Sequence, residues 1–140
     1  MSLSFGATIP FVHHLGFTLE KFEGGESELR YTPRPEHLNS FDVTHGGAVM
    51  TLLDVVMATA ARSIEPQLGV VTIEMKTSFM RPAKVPSGAA LVARGLLQHR
   101  TRSMAFTEGR VYDAEGQLCA VATGTFKYVV RRESANPSTD

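Results

Sequence analysis

The residues best able to do chemistry are concentrated between Asn39 and Asp54, in the stretch NSFDVTHGGAVMTLLD. Gly46 and Gly47 open a run from Ala48 to Ala61 that contains neither Gly nor Pro and reads as helix. The first turn of a helix leaves its amides without intrahelical partners, and glycine lets a ligand come close to that backbone. Such N–H groups, at the positive end of the helix dipole, suit an anion or a developing oxyanion. A tight turn is the other use of a Gly-Gly pair.

Asp54 lies inside this apolar run, with Met50, Met57 and Ala58 one turn away and no cation on the helix itself. A buried carboxylate without a partner is driven toward its neutral form. The position therefore implies a partner from another segment, a solvent-exposed strip on the helix, or a carboxylate held in a cleft as nucleophile or general base. Hydroxyl residues that could join it are Thr72 and Ser78. Asn39 is the most useful polar side chain of the preceding loop, with an Asx-turn as the competing role.

Geometry limits how these groups can cooperate. Gly46 and Asp54 are roughly 12 Å apart along one helix. An oxyanion donor and a base acting on one carbonyl each need to lie about 3 Å from the reacting atoms. If both act, Gly46 of one subunit must meet Asp54 of another, and catalysis requires a dimer.

The helix that positions them is apolar on almost every side, which predicts burial. From Gly46 to Arg62 it would be roughly 25 Å long, short of a membrane span and interrupted by Asp54. Pro66 prevents its continuation. The other segments read as strands. HHLGFTLEKF and GESELRYTP, separated by Gly24-Gly25, predict a hairpin in which His13 and His14 point to opposite faces. Beyond the helix, strands are expected from Leu68 to Met80, from Ala89 to His99, and as a pair flanking the turn Ala114-Glu115-Gly116. A hairpin, one buried helix and a meander of about four strands make a two-layer α+β domain.

Composition narrows the function. The chain has 140 residues, with 14 basic and 14 acidic side chains mixed along it, so one domain is expected and a nucleic-acid footprint is not. A single cysteine, Cys119, excludes an intrachain disulfide framework and fits a reducing cytoplasm. No secretory leader pattern opens the sequence, and residues 131–140 read as a polar flexible tail. Neither zinc-type Cys/His spacing nor HExxH occurs, so no metal or cofactor is expected. GxGxxG, P-loop and GxSxG patterns are also missing. Asn39, His45, the Gly46 amide and Asp54 remain, a set suited to acyl transfer to water.

At these residues the chain resembles the hotdog-fold thioesterases of the phenylacetic acid degradation protein type. The match is Asn39, then His45-Gly46-Gly47 at a helix start, then Asp54, and it extends through GVVTIEMKTSFMRPAK into the last two strands. The resemblance implies an antiparallel sheet wrapped around the long helix, with homodimers that share their sites and often pair into homotetramers. It also implies hydrolysis of acyl-coenzyme A thioesters, here with an aromatic or medium-chain acyl group. By position, Asp54 would activate water or attack the thioester, the Gly46 amide would polarise the carbonyl, and Asn39 and His45 would support it. Thr72 falls where the family often has a Ser or Thr near the attacking water. Gly47 would lie against substrate. Arg81 and Lys84, or Arg100 or Arg102, would hold the coenzyme A phosphates unless they are ordinary surface charges. The family often carries Gly where Asp42 stands, which leaves the shape of this loop open. A hotdog hydratase, or an acyl-CoA binding domain without turnover, are the alternatives.

Overall fold

The computed structural model describes residues 2–131. A short helix, α1 (Pro10–Leu15), precedes the hairpin β1 (Thr18–Glu23) and β2 (Glu26–Tyr31). A 3-10 turn over Pro35–His37 leads into the long helix α2 (Gly46–Arg62). Four strands follow, β3 (Leu68–Phe79), β4 (Leu91–Arg100), β5 (Met104–Tyr112) and β6 (Leu118–Val130). All pair antiparallel into one six-stranded sheet of order β1-β2-β4-β5-β6-β3.

The sheet curls around α2. The residues of one register row, Leu29, Ala93, Val111 and Ala120, run across four strands and are all fully buried. Leu52, Leu53, Val56 and Met57 of α2 meet that face, and each is fully buried. Burying a side chain of this size contributes about 1.5–3 kcal/mol. The helix approaches most closely at Gly95, where a Cβ would run into the Val56 carbonyl. The Ser27 hydroxyl donates to that same carbonyl at 2.5 Å. Gly109 and Gly124 make room for Met57, whose side chain would lie 3.0 and 2.9 Å from a Cβ added at these positions.

Three expectations are corrected. His13 and His14 are not strand residues but lie in α1, which Pro10 opens and Gly16 closes at φ 81°. That φ falls in the left-handed region that glycine adopts without strain. The strands after α2 do not form a simple meander. Only β4, β5 and β6 do so, while β3 pairs with β6 at the far edge and β4 joins the hairpin through β2. Nor is α2 buried all round: Met50 is 39% exposed, and Gly47, Thr51, Asp54 and Ala58 continue a half-covered strip along the same side. No helix among the described residues is long and apolar enough to cross a membrane. The expected flexible tail lies, beyond Arg131, outside the described residues.

Candidate active site

Asp54 has its partner in β3. The Thr72 hydroxyl donates to Asp54 Oδ1 at 2.7 Å, across 18 residues of sequence. This pair stands on the half-covered strip of α2, so the carboxylate is hydrogen-bonded and within reach of solvent. Of the three explanations open for Asp54, a partner from another segment and an accessible strip both hold.

The start of α2 is built by the loop before it. His45 is the N-cap, and its Nδ1 accepts from the Gly47 amide at 2.9 Å. The Ala48 and Val49 amides donate to the His45 carbonyl at 2.9 and 3.2 Å. The Gly46 N–H is left over, with no partner among the described residues. The imidazole thus uses up one amide of the glycine pair and leaves its neighbour open to a ligand. Because Nδ1 is an acceptor here, His45 carries its proton on Nε2 when neutral.

Asn39 makes the Asx-turn, with its Oδ1 accepting from the Phe41 and Val43 amides at 2.8 and 3.3 Å. Its side-chain NH₂ has no partner among the described residues, so the turn occupies only its carbonyl. Asp42 adopts φ 59°. That is a left-handed conformation open to glycine and tolerated by Asp. The position thus has a backbone conformation of the kind that favours glycine.

A groove of about 620 Å³ opens beside the helix start, lined by Asn39, Phe41, Gly46, Val49, Phe79 and Met80 among others. Its walls are mainly apolar, and Phe41 is 83% exposed. A Cβ at Gly46 would lie 3.6 Å from the Phe79 ring, so the end of β3 faces the glycine pair. Neither Phe41 nor Phe79 stands out in the sequence, because only the fold brings them to the same groove.

The other candidates divide. Arg81 lines the groove while donating to Gln117 Oε1 at 2.7 Å. Lys84 is exposed in an adjoining cavity with Arg34 and Asp42. Arg100 is engaged elsewhere: it donates to Glu65 Oε1 at 2.8 Å and lies over the Tyr128 ring at 4.5 Å. Glu65 follows the C-terminal end of α2, so Arg100 and nearby Arg102 are at the opposite end of the helix from Gly46. Ser78 pairs with Val121 and points outward, with Thr77 and Phe79 on the inner face to either side. Cys119 is a buried free thiol whose pKa is pushed up by burial. Among the described residues no group of His, Cys, Asp and Glu side chains is placed to hold a metal ion.

Within one chain, then, Asp54 is joined to Thr72, His45 is joined to Gly47, and Asn39 lines the same groove as Gly46. The two sets are not joined in the same protomer. Comparison with known proteins decides the family, since residues 41–120 match the Thioesterase superfamily.

The chain belongs to that family.

This thioesterase has the hotdog fold. It is 30% identical over 120 residues to a Saccharolobus solfataricus protein described as a candidate esterase, covering 86% of this chain and 77% of that one. Human acyl-coenzyme A thioesterase 13 is 33% identical over 86 residues, 61% of this chain and 60% of that protein. A solved variant of the phenylacetic acid degradation protein PaaI from Thermus thermophilus superposes with TM-score 0.75 at 28% identity, covering 85% of this chain and 98% of that one. Hydrolysis of thioesters is the activity of the family.

Proposed function

We propose that this protein hydrolyses acyl-coenzyme A thioesters at sites shared between two copies of the chain. The observation that carries the reading is the division of the polar groups. The unpartnered Gly46 amide and the Thr72-bonded Asp54 carboxylate sit on the same helix, separated by roughly 12 Å of its length. One protomer cannot bring both to a single carbonyl. A second copy can, if the accessible strip of α2 and the free edge of β3 are where the copies meet. Support for that comes from Met50, which is 39% exposed on that strip of α2 and would be covered. The free backbone edge of β3 would gain a partner as well. Homodimers with this arrangement could pair further into homotetramers.

The chemistry follows from the groups at hand. The thioester carbonyl oxygen accepts from the Gly46 N–H, with the free NH₂ of Asn39 nearby and His45 fixing the helix start. Asp54 of the partner subunit acts in one of two ways. As a base it takes a proton from water, the hydroxide adds to the carbonyl carbon, and the C–S bond breaks. The departing thiolate then recovers the proton, leaving a free acid and coenzyme A. As a nucleophile it adds to the carbonyl itself, expels the thiolate and forms an anhydride that water opens. Thr72 holds Oδ1 in either case and leaves Oδ2 toward the substrate. The apolar groove of Phe41, Val49, Phe79 and Met80 suits an aromatic or medium-chain acyl group, while Arg81 and Lys84 supply cations for the coenzyme's phosphates.

The hydratase alternative loses ground at His45, because its Nδ1 is committed to the Gly47 amide and not to a Cα proton. The test is a panel of acyl-CoA esters with free-thiol detection, on the wild type and on Asp54→Asn. Turnover that disappears in a folded Asp54→Asn protein is the expected result. Binding without turnover, unchanged by the substitution, would instead identify an acyl-CoA binding domain.

A further inference from the structure

His37 was not singled out by its sequence context, yet it is 8% exposed and stands at the root of the loop that carries Asn39 and His45. Its Nδ1 lies 2.7 Å from the Tyr31 hydroxyl and 3.1 Å from the Arg34 backbone amide. The amide can only donate. Burial pushes the Tyr31 phenol up to about 12, so that group also remains protonated and able to donate. Nδ1 is therefore the acceptor for both groups.

Four titratable or charged groups face this ring: Tyr31, Arg34, Glu36 and His14. Burial is the main influence holding the imidazole below its ordinary pKa, and the Arg34 guanidinium, 3.4 Å from Nε2, acts in the same direction. Glu36 opposes them, and His14, whose ring centroid is 6.3 Å away, adds a small push downward. The neutral ring that results keeps both of its donors.

Tyr31 is itself fully buried at the end of β2, with its ring edge-on to Phe17 at 4.9 Å between centroids. From this anchor a run of bonds leads to the candidate site. The His37 carbonyl accepts from the His45 amide at 2.9 Å. His45 in turn holds the Gly47 amide with its ring. The intervening loop is closed by the bridge between Leu38 and Thr44 and by the Asn39 amide on the Val43 carbonyl at 2.8 Å.

We infer that Tyr31 and His37 are positioning residues for thioester hydrolysis, holding through the His45 backbone the direction in which the unpartnered Gly46 amide points. The inference rests on the reading that this amide receives the carbonyl oxygen. A group that fixes an oxyanion donor acts on turnover more than on substrate affinity, and misplacement by about 1 Å can cost ~100-fold.

The experiment compares His37→Ala, His37→Asn and Tyr31→Phe with the wild type on an acyl-CoA ester that the wild type hydrolyses. Folding is checked by urea titration, and kcat and KM are measured separately. In His37→Asn the Oδ1 stands where Nδ1 stood and can accept from the same donors. The expected result is a fall in kcat of about tenfold or more for His37→Ala with KM little changed, most of it recovered in His37→Asn. Tyr31→Phe should fall between the two, and it carries the test if His37→Ala does not fold. Unchanged kcat in folded His37→Ala, or in Tyr31→Phe where that variant stands in, overturns the inference. So does a His37→Asn protein as slow as His37→Ala. Gly46→Pro, which removes the amide itself, separates the two claims. If it keeps the wild-type kcat, the reading of that amide as oxyanion donor fails; if it is slow while His37→Ala runs at full speed, only the positioning role fails.

Discussion

Gly46→Pro removes the proposed oxyanion donor with little disturbance of the helix that presents it. Gly46 is the first residue of α2, where Pro is favoured because the missing N–H had no intrahelical partner. The preceding residue must be extended, and His45 already is, at φ −58° and ψ 137°. A Cβ at this position meets only the Phe79 ring, at 3.6 Å, which is ordinary contact. Loss of one oxyanion donor costs about 100- to 1000-fold in kcat, or ~2.7–4 kcal/mol of transition-state stabilisation. Gly46→Ala is the control: it adds the same Cβ and keeps the amide, so most activity should remain. The assay is thiol release from an acyl-CoA ester, with urea unfolding to confirm that both variants are folded. A folded Gly46→Pro protein with wild-type kcat would refute the role of this amide, and equal losses in both variants would assign the effect to bulk at the site.

Further outcomes follow from single contacts. Thr72→Val removes the hydroxyl on Asp54 Oδ1 and keeps the shape; a hydrogen bond to a charged group is worth about 1.5–3 kcal/mol, and solvent exposure puts this pair at the low end. A loss of about tenfold in kcat/KM is expected, with Thr72→Ser close to wild type. Gly95→Ala should destabilise the fold by about 1–3 kcal/mol, read as a lower urea midpoint, because its Cβ collides with the Val56 carbonyl. His37 gives stability a pH dependence of known sign. Its folded-state pKa is lowered, chiefly by burial, so its contribution is fully present above the unfolded value of about 6.5 and is lost as pH falls through the folded-state value. Urea midpoints measured downward from neutral pH should fall less steeply in His37→Asn than in the wild type.

The parts of the molecule legible in the sequence were those written in local signals. The bounds of α2 follow from the Gly-Gly start and the stop before Pro66, and β5 and β6 follow from the turn at Ala114-Glu115-Gly116. The pattern Asn39, His45-Gly46, Asp54 was visible, and so was the conclusion that one helix cannot apply both ends to one carbonyl. Long-range register was not. The Thr72 hydroxyl reaches Asp54 only because β3 lies beside α2 at the sheet edge. Local sequence does not state that β3 pairs with β6 and not with β4, although the long connection from Met80 to Ala90 is more than a hairpin needs. The exposed strip on α2 was masked by composition, since Met50 and Ala58 count as apolar wherever they face. At the N-terminus, alternation through HHLGFTLEKF obscured Pro10 and Gly16, which mark the two ends of a short helix. The contact between the His37 ring nitrogen and the buried Tyr31 phenol is not legible in the sequence, because no spacing rule reveals it.

The shared site can be tested most directly by mixing two inactive proteins. Asp54→Asn subunits keep Gly46, and Gly46→Pro subunits keep Asp54. Unfolding and refolding the two together in equal amounts gives mixed dimers in which one of the two sites is intact. The expected activity is about a quarter of the wild type under random pairing, from parents that each show almost none. A mixture as inactive as its parents, with mixed dimers demonstrated, would contradict a site built from the helix start of one subunit and the carboxylate of the other.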